Sequence, residues 1–218
     1  MNIKKNLTAK EAFTLAFQNQ QKNNLKVAEN LYKEILKTNP NHFESIYLLG
    51  TLLIQKKDFS RAIQLLKKAV QIQPDHASAY SNLGIALISN DLKNYQEAND
   101  CFNKAIKVDP NFAEAFYNLG NMCKEENYEE AKNLYRKALK IKPNYTSAYI
   151  NLGIVSESCN EFDEAINCFQ KAANLKPNDP KIYSLIGSVL EKSGKNIAAI
   201  ENYQKALEKR TNIKFEGE

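Results

Sequence analysis

Nowhere in the 218-residue sequence do about 20 apolar residues run together, so the chain offers no candidate for a membrane-spanning helix. The opening MNIKKNLTAKEAF has lysines but no apolar stretch of signal-peptide length, and a soluble protein made and kept in the cytoplasm is expected. Cysteine is sparse: Cys101, Cys123, Cys159 and Cys168 form no CxxC pair, which argues against a metal site or disulfides and for free, partly buried thiols. There are two histidines, His42 and His76, 34 residues apart, and their equivalent placement points to a turn role rather than to acid-base catalysis. Of seven glycines, five recur at one repeated position and Gly194 falls in a turn, so none is free to cradle a phosphate. No GxxxxGK(S/T) or GxSxG motif occurs and no carboxylate pair stands out. The expectation is a protein that is not an enzyme and has no cofactor.

What the sequence does contain is a period. Asn82-Leu83-Gly84, Asn118-Leu119-Gly120 and Asn151-Leu152-Gly153 repeat one tripeptide, and Leu49-Gly50 and Ile186-Gly187 are looser copies, with successive glycines 34, 36, 33 and 34 residues apart. Pro40, Pro74, Pro110, Pro143 and Pro177 keep the same step. A fixed period in the thirties marks a stacked-repeat architecture, in which each unit packs on its neighbours. The units run 9–42, 43–76, 77–112, 113–145, 146–179 and 180–213 in a single array, after a leader at 1–8 and before a tail at 214–218. Each unit splits into two amphipathic helical patterns; in the fourth, Phe116, Leu119, Gly120 and Cys123 form one face and Ala131, Tyr135 and Ala138 another.

A mid-helix glycine costs about 1 kcal/mol relative to alanine, so a close crossing must offset it. Gly120 is expected to face the small Ala131 and Ala138, and Gly50, Gly84, Gly153 and Gly187 to act alike. Capping boxes are expected at Thr8 with Glu11, Asn94 with Glu97 and Asn127 with Glu130. Each proline closes a unit because it cannot continue a helix. Lys67, Lys68, Lys104, Lys137, Lys140, Lys171 and Lys205 lie mostly in second helices among glutamates and glutamines, and with a net charge of +5 this reads as a solvated outer face rather than a nucleic-acid stripe.

These residues resemble the tetratricopeptide repeat family, whose period and Leu-Gly, Ala, Ala, Pro pattern the second unit follows through Ile46, Leu49, Gly50, Leu53, Ala62, Leu66, Ala69 and Pro74. The resemblance covers about 205 residues as six tandem repeats. It implies an all-α, right-handed superhelical solenoid of antiparallel helix pairs, with first helices lining a concave groove. The sequence departs from the pattern at Ala16 in place of glycine, at two extra residues around 92–95, at one residue fewer in the fourth turn, and at Thr211 in place of the last proline. The last departure leaves an end whose apolar face, including Tyr203, Ala206 and Leu207, is expected to lack a cover.

Function is expected in the groove, at Phe13, Phe17, Tyr47, Asn82, Ile85, Tyr117, Asn118, Asn121, Asn151 and Ile154. Asn82, Asn118 and Asn151 repeat one position, and an amide offers a donor and an acceptor that match any peptide backbone. The same asparagines also read as repeat consensus that only solvates the groove wall. Similar rows occur in the repeat region of O-GlcNAc transferase, and that resemblance implies a grip on extended polypeptide. Family members that clamp a C-terminal carboxylate use groove lysine and arginine, where Phe13, Phe17, Tyr47, Ser81 and Ile85 stand here, so chaperone-tail capture is not expected. Glu114, Glu125, Glu157 and Glu191 would suit a partner with apolar anchors and a few basic residues, and a groove that is not basic disfavours RNA. The function expected is a protein-protein interaction scaffold binding an extended peptide or helix, with no nucleic acid and no membrane as partner. Two further readings are the substrate-presenting arm of a larger glycosyltransferase-like or other transferase, and a scaffold that self-associates through the C-terminal face.

Overall fold

A computed structural model describes residues 8–215; of the leader expected at 1–8 and the tail expected at 214–218, only Thr8, Lys214 and Phe215 fall within them. Among the described residues there are twelve α-helices, one short 3-10 turn and no strand. They fall into two compact units that divide between Pro110 and Asn111. The first contains α1 (Ala9–Gln21), α2 (Leu25–Thr38), α3 (Phe43–Gln55), α4 (Phe59–Ile72), α5 (Ala77–Asn90) and α6 (Tyr95–Val108). The second contains α7 (Ala113–Cys123), α8 (Tyr128–Ile141), α9 (Thr146–Ser158), α10 (Phe162–Leu175), α11 (Pro180–Lys192) and α12 (Asn196–Phe215). Each unit is thus three helical hairpins, with the odd-numbered helix first in each.

The prolines set where the second helices stop. A proline pushes the residue before it out of the α region. Asn39, Gln73, Asp109, Lys142 and Lys176, which precede the five prolines, have φ between −126° and −134° and ψ between 74° and 99°, and each ends its helix. The last second helix meets Thr211 instead, and α12 runs 20 residues to Phe215. Within four of the hairpins the turn is three residues long, and its middle residue is left-handed: Asn23, Lys57 and Asn160 near φ 60° and Gly194 at φ 76°. The following N–H then reaches back to the first helix, as Asp58 N does to the Leu53 carbonyl at 2.9 Å, which closes a Schellman-type end. The two added residues of the third hairpin fall at the 3-10 turn Leu92–Asn94, which is three residues long.

The helix-crossing glycines are buried, and the nearest atoms to each belong to a large side chain rather than to the small alanines expected, although at Gly84 the Ala98 carbonyl follows at 3.2 Å. A Cβ on Gly120 would lie 2.7 Å from Cε1 of Tyr135, on Gly84 2.8 Å from the Phe102 ring, on Gly153 2.6 Å from Phe169 and on Gly187 2.7 Å from Tyr203. Gly50 meets Leu66 in the same way, at 2.9 Å. The glycine therefore makes room for one large side chain of the second helix, and Ala131 and Ala138 are buried on either side of it in sequence. Leu119 also differs from expectation: it is half-buried, whereas its counterparts Leu49, Leu83 and Leu152 are buried.

Caps follow chemistry in part. Thr8 and Glu11 form the full capping box, and Asn127 Oδ1 accepts from Glu130 N at 3.1 Å. Asn94 makes no cap; its amide donates to the Leu87 carbonyl at 3.1 Å, because the 3-10 turn redirects it. His42 and His76 are the N-caps of α3 and α5, their Nδ1 atoms accepting from Ser45 N at 3.3 Å and Ala79 N at 3.1 Å. The second-helix lysines do more than solvate: Lys104, Lys137 and Lys171 lie 5.7, 5.9 and 5.6 Å from the rings of Tyr80, Phe116 and Tyr149 in their own hairpins.

Two buried charges link neighbouring hairpins. Lys132, 2% exposed, is held by Glu129 at 2.6 Å and Glu161 at 2.7 Å. In the first unit the buried Glu29 accepts from Lys33 at 2.6 Å and from Lys56, with Arg61 at 3.7 Å. Hydrogen bonds from Lys33, then Lys56, hold the Glu29 carboxyl below its ordinary value of 4.5. A depressed carboxyl stabilises the fold above its unfolded pKa, and that stability is lost as pH falls through the lower, folded value. Glu29→Gln should therefore cost about 1 kcal/mol at neutral pH, the cations being partly solvated. In thermal melts taken from pH 7 downward, the gap to wild type should close below about 4.5; a gap that persists there would remove the ion cluster as its cause.

Candidate peptide-binding face

In the first unit the expected site residues divide into packed and exposed sets. Phe13 is half-buried, its ring 6.1 Å from Tyr32 and 5.6 Å from His42. Tyr47 stacks on Phe43 at 5.9 Å and lies 4.9 Å from His76, so the capping histidines also pack the aromatics. Its hydroxyl accepts from Asn82 Nδ2 at 3.3 Å, which ties α5 to α3. Burial raises the Tyr47 pKa, so the hydroxyl stays neutral. Ile85 is half-buried, and Phe17 is 41% exposed on α1.

In the second unit the same device is elaborated. Asn151 Nδ2 on α9 donates to Tyr117 Oη at 3.2 Å and to Asn121 Oδ1 at 2.6 Å, both on α7. Asn121 Oδ1 also accepts from the Tyr135 hydroxyl at 2.9 Å. Tyr135 is fully buried, and burial raises its pKa well above the usual tyrosine range, keeping the hydroxyl a donor. Tyr117 packs 5.9 Å from Tyr135 and 4.9 Å from Tyr145. Asn118 is half-buried on α7, and Ile154 is 38% exposed on α9.

This geometry changes the chemistry on offer. The amide nitrogens of Asn82 and Asn151 are engaged within the chain, while Oδ1 of each accepts from no described group. With two N–H groups on each amide, Asn151 keeps only its acceptor, while Asn82 keeps an acceptor and one N–H. The acids expected to greet a basic partner are also partly taken: Glu114 by Lys142 at 2.7 Å, Glu157 by Lys192 at 2.7 Å and Glu191 by the Tyr203 hydroxyl at 2.9 Å, with Lys124 3.8 Å from Glu125. Tyr145, not among the expected site residues, packs against Tyr117, and Tyr135, expected only on the second-helix face, donates to Asn121.

The remaining candidates have little to offer chemically. Among the described residues no group of histidine, cysteine, aspartate and glutamate could hold a metal ion. Burial pushes the Cys101 and Cys168 thiols up to about 11, so they are unreactive near neutrality. No described helix is long and apolar enough to cross a membrane. On α12, Tyr203 covers Gly187 and Ala206 is buried, contrary to expectation, because both turn toward α11; among its described side chains the exposed large apolar ones are Ile197 at 80%, Ile200 at 58% and Leu207 at 60%.

Comparison with known proteins agrees with this architecture. Residues 18–105 match the family described as anaphase-promoting complex, cyclosome, subunit 3. Three tetratricopeptide repeat families match at 101–132, 122–189 and 180–208. Among solved structures, the chain resembles a thermophilic tetratricopeptide protein of Thermus thermophilus at 20% identity, covering 84% of this chain and 99% of that one with a TM-score of 0.70. YrrB, described as a tetratricopeptide protein with an unusual peptide-binding site, is 22% identical over 83% of this chain and 92% of its own, with a TM-score of 0.63. A chain of the Cut9-Hcn1 hetero-tetramer of the anaphase-promoting complex is 17% identical over 94% of this chain and 41% of its own, with a TM-score of 0.80. With helical hairpins, crossing glycines and closing prolines in place, the chain is an all-α array that carries tetratricopeptide repeats.

Proposed function

We propose that the protein is a non-catalytic binding scaffold whose first-helix faces hold an extended segment of another protein. The observation that carries this reading is the tethering of Asn82 and Asn151. Each amide is fixed by a tyrosine of the preceding hairpin, so its Oδ1 is held ready for a backbone N–H without further loss of rotamer freedom. Ile154, exposed one turn from Asn151 on α9, supplies an apolar anchor beside that acceptor, and Phe17 is an exposed apolar side chain on α1 of the first unit. YrrB, which has a similar fold, is described as having an unusual peptide-binding site, which fits a peptide as the class of ligand.

The test is capture of partners from a matched lysate by the wild-type chain and by a triple variant, Asn82→Ala, Asn118→Ala and Asn151→Ala. Both are compared at a temperature where their helicity is equal, since Asn151 also has structural bonds. At about 0.5 to 1.5 kcal/mol per hydrogen bond, affinity should fall roughly tenfold to a thousandfold. Identical partners at identical affinity in the variant would move the binding surface elsewhere.

A further inference from the structure

The most exposed large apolar side chains among the described residues, Ile197, Ile200 and Leu207, lie along one side of α12. The repeat shows what such a stripe takes. At the position of Leu207 four other second helices carry Leu36, Val70, Leu139 and Ala173. Leu36 and Val70 share a cluster with Phe43 and Ile46 of α3 and Ala79 of α5, Leu139 one with Leu152 and Val155 of α9, and Ala173 one with Ile182 and Ile186 of α11. Each belongs to a core that includes the first helix of the hairpin that follows. Ile166, at the position of Ile200, packs against the cluster that contains Ile182 and Ile186. On α12 both positions stand open. The covering face is aliphatic, as in α11, where Ile182, Ile186 and Val189 fall at i, i+4 and i+7 and are buried.

One flank of the stripe is acidic. Glu201 and Glu208, four residues beyond Ile197 and Gln204, run along that edge. Both are exposed, and neither forms an ion pair within the described residues, not even with Lys205 between them in sequence. At the position of Glu208 the other second helices carry Lys37, Gln71, Lys107, Lys140 and Asn174, so this acid is particular to α12. We propose that the stripe takes an amphipathic helix of a partner protein, aliphatic at the spacing of the first helices and basic along the flank that meets Glu201 and Glu208. A second copy of the chain fits less well in either arrangement. Head to tail, it would bring α1, which has exposed Glu11 and Gln18 at the positions of Ile182 and Val189 and would have to bury them. Paired antiparallel through α12, it would set the two acids against the same acids of the other copy. The stripe lies on a different helix from the asparagine face, and the proposal stands or falls independently of it.

The experiment is fluorescence anisotropy with a labelled synthetic helix that carries isoleucine at first-helix spacing and lysine along both flanks, beside the same helix with glutamate in place of lysine. Saturable binding of the lysine helix, weakened by salt, is expected, with the glutamate helix binding about tenfold less. Leu207→Gln, at an exposed position, removes an anchor without touching the core and should weaken binding about tenfold. Glu201→Lys combined with Glu208→Lys should reverse the preference between the two helices. Circular dichroism checks that the variants fold, and Ile200→Gln is the alternative should Leu207→Gln not fold. The proposal is overturned by absence of saturable binding, by equal binding of the two helices, or by undiminished binding in a folded anchor variant. Light scattering at the assay concentration completes the test: a monomer is expected, and a dimer that Leu207→Gln dissolves would give the stripe to a second copy and overturn the proposal as well.

Discussion

Phe169→Ala should lower the stability of the second unit by about 3 to 5 kcal/mol, the range for deleting a buried aromatic ring. The ring is fully buried in a cluster with Ala165, Ala172, Ile182 and Ile186, and it lies over Gly153, which has no side chain to move into the space left behind. The complementary change sharpens the test. Gly153→Ala alone should be destabilising although alanine is the better helix former, because its Cβ would stand 2.6 Å from a ring that cannot retreat. In a Phe169→Leu background the same Gly153→Ala should cost much less, since a leucine can yield where a packed ring cannot. Guanidinium denaturation of the four proteins gives the coupling directly. A loss below about 1 kcal/mol for Phe169→Ala, or additive single and double changes, would show that ring and glycine do not meet.

Asn121→Ala should cost about 2 to 4 kcal/mol, more than its half-buried side chain suggests. Its Oδ1 is the shared acceptor for Tyr135 and Asn151, so the alanine leaves the buried Tyr135 hydroxyl without its acceptor and loosens Asn151. An orphaned buried donor is costlier than a donor and acceptor removed together. The double variant Asn121→Ala, Tyr135→Phe should therefore be more stable than Asn121→Ala alone. If adding Tyr135→Phe makes matters worse, the hydroxyl is satisfied elsewhere and the network is misread.

The helices were legible in the sequence because their punctuation is chemical and local. Proline constrains the residue before it whatever surrounds it, so Pro40 or Pro143 declares a helix end without reference to the rest of the fold. The crossing glycines were legible as a need for space, but not what fills it. Ala131 and Ala138 are small and on the right face, and Tyr135 between them was read as one more member of that face. The signal existed: Leu66, Phe102, Tyr135, Phe169 and Tyr203 stand at one repeat position, a large residue for every glycine. At the candidate site the sequence showed which positions carry amides but not which amide hydrogens are already committed. That depends on a tyrosine one hairpin away, as Tyr47 is from Asn82, and side-chain direction is not written in periodicity. The left-handed Lys57 carried no local cue, because turn closure overrides the preference of lysine there.

The tyrosine-asparagine bonds span 35 residues in one unit and 34 in the other, so neither partner lies in the same repeat as its mate. A duplication or loss that cuts between repeats leaves a tyrosine or an asparagine without its mate, however well the helices themselves survive. Lineages that shuffle repeats would keep these two residues in step across the boundary, and recombination points that respect the pairing should yield folded chimaeras more often than points that divide it.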